Sequence, residues 1–177
     1  MLNGNLIKEI SKKVHQMSVI STQDIPFRQY VVEACAMNTC GKYGKTWTCP
    51  PGVGDLETLK VKCLSFPQAL VFTTYYNLED SFDIEGMEEG RVKHEKITDE
   101  VIELFGDIKI RALSAEGCSL CKECTYPNEP CRFPNKARAS VESNGISVVE
   151  LAKQCGINYK NGSNTVTYFS LIMYSFI

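Results

Sequence analysis

The chain has 177 residues, 44% of them hydrophobic and 23% charged, with a formal net charge of -2 and a sequence pI near 5.8. That length suits one sizeable core and is short for two, so a single cysteine-rich metal-binding domain over residues 1–177 is expected. The charge balance offers no general basic field for a nucleic acid, and the longest apolar run, residues 168–177, is about half of what a membrane span requires, so neither partner is expected.

In chain order, Leu6, Ile7, Ile10, Val14 and Met17 share one helical face, with Lys8, Lys12, Lys13 and Gln16 opposite, which predicts an amphipathic opening helix. Residues 1–17 lack an apolar h-region, so no secretory leader is expected there. Residues 27–36 are expected to be extended and to lead into the first cysteines. Residues 40–54 hold four glycines and two adjacent prolines, a composition that predicts a loop. Asp55 is a good N-cap for a helix carrying Leu56, Leu59, Cys63 and Leu64 and ending before Pro67.

Residues 69–76 are continuously apolar and β-rich, the pattern of a buried central strand. A long helix is predicted over residues 85–105, with Ile97, Val101, Leu104 and Phe105 as its buried stripe and Gly106 as its stop. Residues 108–115 form a second strand that delivers the chain to Gly117 and Cys118. Strand, helix, strand in that order predicts a parallel pair joined by a right-handed crossover. Ser147 and Glu150 make a capping box for a helix ending at Gly156, and Asn161, Gly162 and Asn164 turn the chain into a last strand over residues 166–174. The expected fold class is α/β: a small mixed sheet with helices packed on it and two cysteine-rich metal-binding loops at the sheet edge.

Nine cysteines are present, and four of them, Cys118, Cys121, Cys124 and Cys131, fall within fourteen residues at C-x2-C-x2-C-x6-C spacing. Three sulfurs at two-residue gaps converge on one small object while the fourth arrives from a following loop, which is the ligand layout of a 4Fe-4S cubane. The spacing resembles the bacterial ferredoxin run but has a longer last gap, and Pro134 comes three positions after Cys131. The longer gap lets Cys131 join the same cluster. Zinc is the alternative, since four thiolates also make a tetrahedral structural site, although such sites more often use two separated C-x2-C knuckles. A disulfide framework fits less well in a chain of this length with an odd number of cysteines and no leader. The chain is therefore read as cytoplasmic and reduced.

Cys35, Cys40 and Cys49 form a looser second set in a loop rich in glycine and proline, which lets backbone wrap closely round a bulky group. Three thiolates would leave one iron of a second cluster open to water, a small ligand or a substrate atom. Tyr43 and Trp47 lie in this loop, where they shield a cluster or pin the loop to the core. Cys63 sits on the apolar stripe of its predicted helix and Cys155 precedes Gly156, so both are read as packing thiols. His15 and His94 fall on predicted helices without a motif and are read as solvated positions. Lys122, Arg132, Lys136 and Arg138 face Glu123 and Glu129 across residues 118–138, a cationic excess that offsets cluster charge; Arg132 and Arg138 also suit a carboxylate or phosphate.

The motifs Cys40-Gly41-Lys42-Tyr43-Gly44 through Trp47-Thr48-Cys49-Pro50-Pro51-Gly52, Gly117-Cys118-Ser119-Leu120-Cys121 through Cys131-Arg132-Phe133-Pro134, and Ala137-Arg138-Ala139-Ser140-Val141-Glu142 with Asn144-Gly145-Ile146 together resemble a known group. By them the chain is identified as a member of the prokaryotic family of predicted metal-binding proteins of unknown function, found largely in anaerobes and archaea. The resemblance runs over roughly residues 28–152, with Ala139 where proline is more usual. It implies metal binding, and it implies that Arg132, Arg138, Ser140 and Glu142 matter together beside the cysteine run as an anion or substrate pocket. The expected function is electron transfer or redox chemistry by one or two 4Fe-4S clusters, with a redox partner protein. The alternatives are a zinc-stabilised protein-interaction module and an open-iron enzyme acting on a small anionic molecule.

Overall fold

The computed structural model describes residues 2–176. Its elements run α1 (Gly4–Ser11), β1 (Gln16–Ser21), α2 (Gln29–Ala36), α3 (Leu56–Leu64), β2 (Gln68–Asn77), α4 (Ile84–Leu104), β3 (Lys109–Leu113), α5 (Val148–Cys155) and β4 (Thr165–Ser175). The four strands form one sheet in the order β1-β2-β4-β3, antiparallel throughout.

The two central strands bury both faces, as their unbroken apolar composition requires. Side chains alternate across a strand, so Ala69, Val71, Phe169, Leu171 and Met173 enter one core with Cys63, Val141, Ile146 and Leu151. Leu70, Phe72, Ile172 and Tyr174 enter the other with Ile10, Val101 and Phe105. Helices α1 and α4 thus cover one face, while α3, α5 and the turn before α5 cover the other. The helix starts follow local capping chemistry: the side chains of Asn3, Asp55, Asp83 and Ser147 accept from backbone N–H groups of Leu6, Thr58, Gly86 and Glu150.

Four expectations are corrected. The opening helix stops at Ser11, and Met17 belongs to β1, because residues 16–21 find a complete ladder along β2 that outweighs their helical spacing. Residues 29–36 are helical, not extended; of the expected stretch, Phe27, which bridges antiparallel to Ile146, and the extended Arg28 lie ahead of the helix. β2 and β3 run in the same direction but are not neighbours: β4 lies between them and pairs antiparallel with both, so there is no adjacent parallel pair. An eleven-residue strand buried on both faces takes the centre of the sheet, and the shorter β3 is left at the edge.

The histidines are the fourth. His94 is fully buried on α4, its Nδ1 2.8 Å from Thr74 Oγ1 and its Nε2 2.9 Å from Ser170 Oγ. His15 precedes β1, outside any helix, but is exposed as expected, with Nε2 3.0 Å from Asn161 Oδ1 and its ring against Tyr75. Polar groups on the sheet supply His94 with partners that helical spacing alone does not reveal.

Candidate metal centre

The run of four cysteines lies in the segment that leaves β3 and returns at Ser140. Its neck is closed by backbone bonds: Ser114 N–H donates to Ala139 O at 3.1 Å and Val141 N–H to Ser114 O at 3.0 Å. The loop between α2 and α3 carries Cys40 and Cys49, and is folded on itself by Gly44 N–H donating to Pro50 O at 2.8 Å and Tyr43 N–H to Asn38 Oδ1 at 3.0 Å.

The two loops interlock. Trp47 Nε1 donates to Glu129 O at 3.0 Å, and the indole meets Tyr126 edge to face at 4.9 Å. Cys118 N–H donates to Thr48 Oγ1 at 3.0 Å. Two glycines permit this approach: a Cβ at Gly52 would stand 2.7 Å from the Tyr126 ring, and one at Gly117 would stand 2.7 Å from Cys49 Sγ. The glycine requirement at these positions is one of space.

Each loop contributes a cavity lined by thiols. The first, of about 490 Å³, is lined by Cys118, Cys121, Cys124 and Cys131 together with Trp47 and Arg132. The second, of about 210 Å³, is lined by Cys35, Cys40, Cys49, Tyr43, Ser140 and Glu142, and Lys42 borders both. The cavities share a wall formed by Thr48-Cys49 against Gly117-Cys118. All nine cysteines are free thiols. Cys63 is buried in the core, with Cys155 packed against the same core, and neither lines a cavity with the other thiols. Among the described residues, no three His, Cys, Asp or Glu side chains are drawn together closely enough to hold a single metal ion.

Burial opposes ionisation of a thiol in each cavity and of the Glu142 carboxyl. Burial pushes the Cys118 thiol up, and Cys131, Cys121 and Cys124 add to this while the Leu120 N–H opposes it. Burial likewise raises Cys35, with Glu142, Cys40 and Cys49 contributing. Burial lifts the Glu142 carboxyl to about 7, and the charge of Glu116 adds to it. A neighbouring cation offsets that burial cost for a thiolate, and a bound metal would be such a cation.

The four residues that the family resemblance groups together occupy three places. Arg132 Nη1 donates to Glu123 O at 2.9 Å beside the first cavity. Arg138 pairs with Glu95 at 2.9 Å and Asp99 at 2.5 Å on α4. Ser140 and Glu142 line the second cavity. Thr48, Lys42 and Gly117 escape sequence reasoning as site residues. The hint of their role is that they stand in the quoted motifs next to or two residues from Cys49, Cys118 and Cys40, while their function lies in contacts between loops about 70 residues apart.

A four-stranded sheet with helices on both faces and two interlocked, thiol-lined loops defines a cysteine-rich α/β protein equipped for metal. The family model described as predicted metal-binding protein (DUF2284) matches residues 18–174, and the chain belongs to that family. No curated protein matches it. Among solved structures, a selenomethionine-labelled epoxyqueuosine reductase aligns with a TM-score of 0.42 at 10% identity, over 95% of this chain and 44% of that one. The chain spans less than half the length of that protein.

Proposed function

We propose that this protein is an iron-sulfur electron carrier, with a 4Fe-4S cluster on Cys118, Cys121, Cys124 and Cys131 and a second cluster on Cys35, Cys40 and Cys49. The donor set fits the first cluster, because four half-buried thiols surround one cavity and a cubane takes four thiolates. The observation that carries the electron-transfer reading is the shared wall, where Cys49 of one set lies against Gly117, the residue before Cys118 of the other. Clusters so placed exchange electrons with each other, and the first cavity, lined in part by exposed residues of its loop, meets a redox partner protein. The chain acts as one domain in a reducing cytoplasm; no helix among the described residues is long and apolar enough to cross a membrane.

The clusters supply one-electron chemistry when bound. The chain's own groups orient and screen them: Trp47 and Tyr126 cover the junction of the loops, and Thr48 holds the Cys118 backbone. Lys42 and Arg132 border the first cavity as cations that offset cluster charge.

Anaerobic purification with iron, acid-labile sulfide and EPR analysis tests the reading. The expected protein is brown, with about eight irons and eight sulfides per chain, four for each cubane. Cys121→Ser should halve both. Colourless protein with stoichiometric zinc overturns the proposal in favour of a zinc-stabilised interaction module.

A further inference from the structure

Three thiols line the second cavity, and a cubane has four iron corners. No fourth cysteine is available there: Cys63 is buried in the core, Cys155 packs against that core, and the remaining four line the first cavity. We propose that Glu142 is the fourth, exchangeable ligand of the second site, its carboxylate holding the iron that Cys35, Cys40 and Cys49 leave open and yielding that position to a small anionic donor. This rests on the reading that these three cysteines carry a cluster.

Several of the cavity's other polar groups are engaged with one another. Lys42 and Glu116 pair with each other at 3.4 Å, and Glu116 is also 3.5 Å from Arg91. The two serines are tied together, with Ser143 N–H donating to Ser140 Oγ and Ser143 Oγ donating to Ser140 O, both at 2.9 Å, and the Ser140 side chain also hydrogen-bonds Glu142. Glu142 differs from these groups. Among the described residues it enters no ion pair, although it lies in the cavity beside three thiols and close to the charge of Glu116.

A carboxylate held beside thiols is unfavourable by itself, the cavity's Lys42 being paired with Glu116, and a cationic metal centre removes the penalty. Cys49 makes the same point from the opposite wall: it is only 6% exposed, has no side-chain hydrogen bond among the described residues, and lines the cavity. The position of Glu142 is set by the protein. It opens a single helical turn, Glu142–Asn144, packed under α2, where Cys35 Sγ approaches Glu142 O at 3.9 Å. Ligand and thiol therefore share a rigid contact. Oxygen ligation is weaker at iron than thiolate ligation, which makes this corner the exchangeable one. Lys42, although paired with Glu116 at 3.4 Å, lies on the same cavity and adds a cation that suits an anionic incoming group.

The test uses full-length protein purified anaerobically, as wild type, Glu142→Gln, Glu142→Asp, Glu142→Cys and Cys49→Ser. Ferricyanide takes one electron from a cubane in the 2+ state; the resulting 3+ cluster releases Fe²⁺ from an open corner and leaves a 3Fe-4S cluster in the 1+ state, so charge balances. In the wild type, one iron per chain should leave in this way with the EPR signal of a 3Fe cluster. Glu142→Cys should suppress the loss, Glu142→Asp should retain wild-type behaviour in part, and Glu142→Gln should lose iron faster and bind cyanide roughly tenfold more tightly, the scale expected when a metal's ligation is altered.

Equal iron loss and cyanide affinity in wild type, Glu142→Gln and Glu142→Cys, with iron content intact, overturns the assignment of Glu142 alone. Unchanged iron content and spectrum in Cys49→Ser overturns the second cluster itself, and the ligand assignment falls with it.

Discussion

Gly117 carries more of this site than its size suggests. A methyl group there would meet Cys49 Sγ at 2.7 Å, inside any tolerable contact, so either the thiol moves or the two loops part. Gly117→Ala is expected to lower iron at the second site while the four-cysteine site keeps its own, as read by metal content and EPR. His94 makes a second argument at this scale. Burial holds its imidazole down to about 4, and it stays neutral between Thr74 and Ser170. An unfolded histidine titrates near 6.5, so between about pH 6.5 and pH 4 the unfolded chain binds a proton that the folded chain refuses. The contribution is fully present above pH 6.5 and falls by about 1.4 kcal/mol per pH unit below it, levelling off near pH 4. Urea unfolding at pH 7 and pH 5 should show this loss in the wild type, and His94→Gln should show less of it.

At the scale of elements, β4 is the strand on which the sheet depends. It pairs along its length with β2 on one side and with β3 on the other, and its alternate residues fill both cores. Leu171→Ala removes a fully buried side chain from its middle and should cost about 2–5 kcal/mol in chemical denaturation. The start of α5 is a smaller matter. Ser147 Oγ caps the Glu150 N–H and accepts from Tyr30 Oη at 2.8 Å, and Ser147→Ala should cost about 1 kcal/mol. Neither residue lines a cavity with the seven candidate thiols, so iron content per folded chain should stay at the wild-type value. The elements also show why local patterns misled. The helical spacing of Leu6, Ile10, Val14 and Met17 holds for the first turns only, because β2 offers residues 16–21 a full set of backbone partners. Residues 29–36 form a helix that packs against the turn at Glu142–Asn144, a neighbour far away in sequence.

Across the whole molecule, the sheet and its two cores are built from apolar side chains that owe nothing to metal, whereas the cysteine loops are joined by a few polar contacts and two glycine approaches. Metal removal should therefore divide the molecule into two behaviours. In hydrogen exchange, β2 and β4 should keep their protection in metal-free protein, while residues 37–54 and 115–139 should lose roughly tenfold or more. Equal protection of those loops with and without metal would show that protein contacts alone order them. The shared wall of the cavities makes a related demand. Loosening it with Trp47→Ala should lower metal retention at both sites together, measured as iron released to a chelator over time.

The amino-acid sequence alone made the four-thiol run legible, because cysteines at two- and six-residue gaps stay within one loop, where they line one cavity. It also determined the central strands, whose continuous apolar runs leave no solvent-facing side, and the helices that begin at Asp55 and Ser147, where capping is a local matter. Strand order was decided only in three dimensions, since β4 enters between β2 and β3 from the far end of the chain. So were the contact of Cys49 with Gly117, the burial of His94, and the separation of Arg132 and Arg138 from Glu142. Each depends on groups far apart in sequence meeting in space, and local spacing carries no record of which distant partner will fill a face.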